Sequence, residues 1–259
     1  MLSWLDGCWM IKAMMKFVRA ILFFSIAAAI AFWAINNFFP VKVPEEPVSV
    51  RQFAASGSEK HPAVVILHGY SGFDHAPQAY EKYGRLLASK GIDAYLVTYY
   101  TASDVDVVQA KRGFDLTERL PVWTDRISGV VADVLRDPRT SGKVGILGFS
   151  LGGTVGVAVA AGDPRISALV VFYGTKPDTV TGNLPPLLEL HGDSDQIVPA
   201  KDGLSLVRWA QGHGGNAEQV TYNGEGHVFD WSPGNSSDDA HRRAIDFLVA
   251  HLAKGKEAH

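Results

Sequence analysis

Three residues of this chain have the types and surroundings that nucleophilic chemistry needs. The first is Ser150, in Gly148-Phe149-Ser150-Leu151-Gly152. An apolar, partly β-branched run from Val144 to Leu147 precedes it, and an alanine-rich stretch from Thr154 to Ala161 follows. Ser150 therefore falls at a strand-to-helix turn, where its hydroxyl is pushed out at the carboxyl edge of a sheet. A side chain at either flanking glycine would collide with the neighbouring chain in so sharp a turn. A serine hydroxyl is a weak nucleophile at neutral pH, so it needs a base within hydrogen-bond reach and a third group to hold that base in the right tautomer. Asp195, in the turn after Leu187 to His191, and His227, between Gly226 and Val228, are the candidates. Asp193 competes with Asp195 for the acid role, and Asp195 has the alternative of capping the helix that follows Pro199.

A tetrahedral intermediate at such a serine needs two N–H donors already aimed at the developing oxyanion. The Leu151 backbone N–H is one. The other is expected in His68-Gly69-Tyr70, after the apolar run Ala63 to Leu67, with Tyr70 favoured and Gly69 the alternative. The side chains of Tyr70, Tyr99, Trp123 and Trp231 are candidates for lining a pocket. His68 and His191, each followed by glycine, read as structural histidines that hydrogen-bond nearby backbone.

The elements that must position these residues alternate along the chain. Strands are expected at Val48 to Ala54, Ala63 to Leu67, Ile92 to Tyr100, Ile166 to Tyr173, Leu187 to His191 and Gln219 to Tyr222, besides the one entering Ser150. Helices are expected at Pro77 to Lys90, from about Pro121 to Leu135, after Ser150, at Lys201 to Gln211, and at Ser237 to Lys254 with Ser236 or Ser237 as N-cap. Continuous apolar strands between helices predict an α/β fold, a mostly parallel sheet covered on both faces. About a dozen residues separate Tyr173 from Leu187, too few for a lid domain, so the site is expected to be open.

The chain has 259 residues, 47% hydrophobic and 20% charged, with a net charge of -3. That is material for one sizeable core and gives no footing for nucleic acid. Cys8 is the only cysteine, so no intrachain disulfide can form, and no metal-binding spacing occurs; neither a metal nor a cofactor is expected. Lys12, Lys16 and Arg19 precede sixteen uncharged residues from Ala20 to Ile35, a membrane-directed segment. A spanning helix takes roughly 20 apolar residues and a signal-peptide core roughly 7 to 15. The aromatic residues Trp33, Phe38 and Phe39 favour an uncleaved anchor, and the basic residues before the segment favour an exported domain; cleavage would leave it secreted or periplasmic. The organisation read from this is an anchor or signal segment at 1–40, a proline-rich linker at 41–50 and a catalytic domain at 51–259.

From about Val50 onward the sequence resembles the dienelactone hydrolase family of α/β-hydrolases. The resemblance is carried by Leu67-His68-Gly69, by Gly148 to Gly153, by His191 to Pro199 and by Gly226-His227-Val228-Phe229 with Asp230 and Pro233. It implies an α/β-hydrolase fold without a large cap and an ester-cleaving activity on a small-molecule substrate through Ser150, Asp195 and His227, in that chain order. Two departures bear on substrate. Well-known members carry cysteine where this chain has Ser150, and a glutamate near the first core strand where it reads Leu67-His68-Gly69-Tyr70. No basic cluster for a dienelactone carboxylate can be matched either. A peptidase or thioesterase on the same triad, and a membrane-tethered binding module without turnover, are the competing expectations.

Overall fold

The structure, a computed structural model, describes residues 48–101, 104 and 116–252. The segment expected to be membrane-directed, Cys8 and the part of the expected linker up to residue 47 lie outside the described residues. Among the described residues no helix is long and apolar enough to cross a membrane.

Among the described residues seven strands form one sheet: β1 (Ser49–Phe53), β2 (His61–Leu67), β3 (Asp93–Thr98), β4 (Thr140–Phe149), β5 (Ile166–Phe172), β6 (Leu187–Gly192) and β7 (Ala217–Tyr222). Their spatial order is β1-β3-β2-β4-β5-β6-β7, with only β1 antiparallel to its neighbour among these pairs. The helices are α1 (Pro77–Ser89), α2 (Leu116–Arg136), α3 (Leu151–Gly162), α4 (Ala200–Gly212) and α5 (Asn235–Leu252). A parallel sheet needs crossovers between its strands, and helices supply them here except between β5 and β6, so both sheet faces are covered. Along β2 the side chains alternate between two cores. Val65 and Leu67 pack with Trp123 and Ile127 of α2 and Val155 of α3, whereas Val64 and Ile66 pack with Tyr80 and Leu87 of α1 and Leu248 of α5. This double burial is why Ala63 to Leu67, Val144 to Leu147 and Ala168 to Phe172 read as apolar runs within β2, β4 and β5.

Two helix starts differ from the sequence reading. Proline suits the first helical turn, so Pro121 reads as a beginning, yet α2 starts at Leu116 and carries Pro121 inside it. Only one ladder bond, to the carbonyl of residue 117, is forfeited by its missing N–H. At the other end of the domain α5 begins at Asn235, so neither Ser236 nor Ser237 caps it. The Ser237 hydroxyl instead donates to the Asp230 carbonyl at 2.8 Å and ties the 3₁₀ turn Phe229–Trp231 to the helix.

A buried acid closes the segment after β3. Asp104 accepts from the Thr101 N–H at 2.9 Å, from Arg126 at 2.5 Å and from Arg119 at 3.1 Å. Burial pushes its carboxyl up, but these donors outweigh that and hold it below the usual range.

Candidate active site

Ser150 stands between the end of β4 and the start of α3 with φ 52° and ψ -117°, a conformation that costs a residue with a Cβ about 1–3 kcal/mol. The surrounding backbone enforces it. The Ser150 N–H donates to the Phe172 carbonyl at 2.9 Å, and the Ser150 carbonyl accepts from Thr154 at 3.0 Å. A Cβ on Gly148 would lie 2.4 Å from the Gly152 carbonyl oxygen, and one on Gly152 would lie 2.4 Å from the His68 carbonyl oxygen. The glycines thus let α3 press onto both β4 and the β2 turn.

His227 and Asp195 come to the serine from loops that are fastened to one another. The Asp193 N–H donates to the Tyr222 carbonyl at 3.0 Å and the Ser194 N–H to that of Glu225 at 2.9 Å. A Cβ on Gly192 would sit 2.3 Å from the Glu225 oxygen, so the two loops meet without intervening side chains. His227 Nε2 then lies 3.0 Å from Ser150 Oγ, and His227 Nδ1 lies 2.7 Å from Asp195 Oδ2. The other Asp195 oxygen accepts from the backbone N–H groups of Ile197 at 2.8 Å and Val198 at 3.0 Å. These bonds make Asp195 the centre of its own turn, and it does not cap α4, whose N-cap is Pro199. Asp193 is engaged elsewhere, accepting from the Gly224 N–H at 2.8 Å and from the Ser194 hydroxyl at 3.0 Å. Because Asp195 Oδ2 is an acceptor, it places the His227 proton on Nδ1 and leaves Nε2 a lone pair towards Ser150.

The donors expected for an oxyanion lie around the same point. As the first residue of α3, Leu151 has no acceptor within the helix for its N–H, at the positive end of the helix dipole. The β2 turn is adjacent, since a Cβ on Gly69 would be 3.5 Å from that of Ser150. Of the two alternatives there, the Gly69 N–H is already given to the Tyr80 hydroxyl at 3.0 Å, which favours Tyr70. Tyr70 is held by its carbonyl, which accepts from the Tyr100 hydroxyl at 3.2 Å, while its side chain is exposed. Tyr99 and Trp123 depart from the reading as pocket-lining residues. Both are fully buried, Tyr99 just beyond β3 and Trp123 on α2, and they meet edge to face in the core beneath His68, where large aromatic rings fill volume. Trp231 packs edge-on against Tyr80.

His68 is structural, as read. Its ring stacks on Tyr99 with centroids 4.2 Å apart, and Nδ1 donates to the Gly69 carbonyl at 2.8 Å. Burial lowers it from 6.5 to about 4. A base whose folded value is depressed stabilises the fold above its unfolded value and loses that contribution as pH falls from 6.5 towards 4. The shift corresponds to roughly 3 kcal/mol. In urea unfolding, wild type is therefore expected to lose more stability between pH 7 and pH 5 than His68→Gln does. Equal slopes for the two proteins would refute the assignment.

Sequence reasoning missed the support on the far side of His227. Tyr173, held at φ 39°, packs its ring 4.5 Å from that of His227. Its hydroxyl donates to Asp230 at 2.7 Å, and Tyr83 donates to the other oxygen at 2.8 Å. Burial pushes the Asp230 carboxyl up to about 6 although both hydroxyls favour its charged form. The available signal was an acid three residues beyond the candidate base in an otherwise apolar turn.

A sequence model of the dienelactone hydrolase family matches residues 50–251. A curated protein of Yersinia pestis is 29% identical over 126 residues, 42% of this chain and 47% of that relative, so the matched stretch spans about half the relative's length. A dienelactone hydrolase of Anabaena variabilis has a crystal structure similar to this one, with a TM-score of 0.65 and 21% identity, covering 82% of this chain and 95% of that one. Thermogutta terrifontis esterase 2, solved phosphorylated by paraoxon, is similar with a TM-score of 0.59 and 18% identity, covering 82% and 93%. At these identities the structural likenesses speak to the α/β-hydrolase fold.

Proposed function

The chain belongs to the dienelactone hydrolase family, and from that premise we propose that it is a serine hydrolase that cleaves carboxylic esters through an acyl-enzyme. The observation that carries the reading is the line of three groups, with His227 at 3.0 Å from Ser150 Oγ and 2.7 Å from Asp195. Ser150 Oγ attacks the ester carbonyl carbon while His227 Nε2 takes the hydroxyl proton. The oxyanion so formed accepts from the N–H groups of Leu151 and Tyr70. As the intermediate collapses, the bond to the alcohol oxygen breaks and His227 hands its proton to that oxygen. A water molecule, deprotonated by the same nitrogen, then attacks the acyl carbon, releasing the carboxylic acid and returning the proton to Ser150. Asp195 holds His227 in the required tautomer and offsets the charge that it acquires.

No acid follows β2 beside the nucleophile, where the turn reads His68-Gly69-Tyr70. A simple neutral ester meets fewer demands here than a lactone carrying a carboxylate. The residues between Phe172 and Leu187 form neither helix nor strand, in keeping with a site that has no large cap.

Labelling tests the reading directly. The Thermogutta esterase is phosphorylated by paraoxon, and a fluorophosphonate probe exploits the same kind of attack by an activated serine. Incubation of this protein with the probe at pH 7.5, followed by digestion and mass mapping, is expected to place the adduct on Ser150. A well-folded protein that stays unlabelled, or is labelled elsewhere, would leave the fold as a binding module and sink the proposal.

A further inference from the structure

Two polar side chains on β6 have no part in the chemistry above. Glu189 and His191 lie two residues apart on one strand face, and both are fully buried. Glu189 Oε1 is 2.6 Å from His191 Nδ1, and its Oε2 accepts from the Gln219 amide of β7 at 2.7 Å. The helix above leaves room for them. A Cβ on Gly203 of α4 would lie 2.5 Å from Glu189 Oε1 and 2.7 Å from His191 Nδ1, so α4 can close over the pair because that position carries no side chain.

The far nitrogen of the ring fixes the protonation pattern. His191 Nε2 lies 2.8 Å from the Val198 carbonyl oxygen and 3.4 Å from Asp195 Oδ2. A carbonyl cannot donate and Asp195 acts here as a carboxylate, so Nε2 must carry the hydrogen. Nδ1 then either donates to an ionised Glu189 or accepts from a protonated one. In both cases Glu189 holds the ring with Nε2–H pointing at the turn. Val198 is thereby gripped at both ends, its carbonyl by His191 and its N–H by Asp195 Oδ1.

We propose that His191, its ring held in place by Glu189, is a positioning residue for Asp195. By pinning the Val198 carbonyl and facing Asp195 Oδ2, it fixes the turn from 195 to 198 and with it the oxygen that receives the His227 proton. The effect runs from Glu189 through His191 and Asp195 to His227, and it deepens the ester-hydrolase reading on which it rests. A merely structural pair would fasten α4 to the sheet without governing His227.

The test uses the full chain with ¹⁵N-labelled histidine, read by NMR and by p-nitrophenyl acetate kinetics. In wild type, His191 is expected to be protonated at Nε2 and His227 to show the low-field Nδ1 proton of a hydrogen bond to a carboxylate. His191→Gln and Glu189→Leu are expected to lose or broaden that His227 signal. They should also lower kcat roughly 10- to 100-fold, the scale of effect that a misplaced catalytic group produces. KM should stay within about twofold, since substrate contacts are intact. Glu189→Gln should keep both signal and rate, because its amide can donate to Nδ1 and accept from Gln219 and so preserve Nε2–H. The two Glu189 variants carry the test if His191→Gln does not fold. An unchanged His227 signal in Glu189→Leu, a loss of it in Glu189→Gln, or a wild-type His191 protonated at Nδ1 alone would overturn the proposal. If the NMR pattern holds and no ester is turned over, the positioning role stands and the ester reading falls.

Discussion

Ser150→Ala is expected to lower kcat for a short acyl ester by at least ~10³-fold, since the oxyanion donors alone cannot form the acyl-enzyme. The fold should survive, because Ser150 donates its backbone N–H to Phe172 whatever its side chain. Ser150→Gly separates two properties that the wild type combines. At φ 52° and ψ -117° any residue with a Cβ is strained by about 1–3 kcal/mol, and glycine is not. Glycine gives back roughly 0.5–1 kcal/mol through the greater freedom of its unfolded chain. The glycine variant should therefore be as inactive as the alanine one and more stable than it by about 1 kcal/mol in urea unfolding. A glycine variant less stable than the alanine one would show that the elbow is not strained by its side chain. An alanine variant that retains activity would remove Ser150 from the chemistry altogether.

That strain was legible in the sequence because glycines at 148 and 152 have few other reasons to flank a serine between an apolar run and a helix. The parallel sheet was legible for a similar reason. Strands buried on both faces admit no polar alternation, and Ala63 to Leu67 shows none. What the periodicity could not carry was the polar support inside those runs. Glu189 and His191 stand within an otherwise apolar strand, and Asp230 within an aromatic turn. In one dimension each resembles an interruption. Only the folded chain shows that partners from β7, α1 and the end of β5 converge on them, through Gln219, Tyr83 and Tyr173. The misread start of α2 has the opposite origin. Pro121 is a strong local signal for a start, yet the helix begins five residues before it and tolerates the proline at the cost of one ladder bond.

The sharpest discrimination the site allows is between its two neighbouring acids. In Asp195→Asn the orientation of the new amide is set by the backbone, because the N–H groups of Ile197 and Val198 already point at one oxygen, at 2.8 and 3.0 Å. The amide oxygen must take that place, which turns the NH₂ towards His227 Nδ1. Two donors cannot face each other, so His227 is driven to carry its proton on Nε2, the nitrogen that must accept from Ser150. A fall in kcat of about 10³- to 10⁴-fold with the fold intact is expected, the scale that the wrong tautomer produces in triads of this kind. Asp193→Asn makes the contrasting case. Its oxygen can still accept from Gly224 and Ser194, so the loop that carries His227 stays fastened. Its rate should remain within about threefold of wild type, as expected for a group that touches neither His227 nor substrate. Steady-state kinetics on the two variants side by side decide the matter. A large loss in Asp193→Asn with little change in Asp195→Asn would transfer the acid role and require His227 to turn away from the position it holds here.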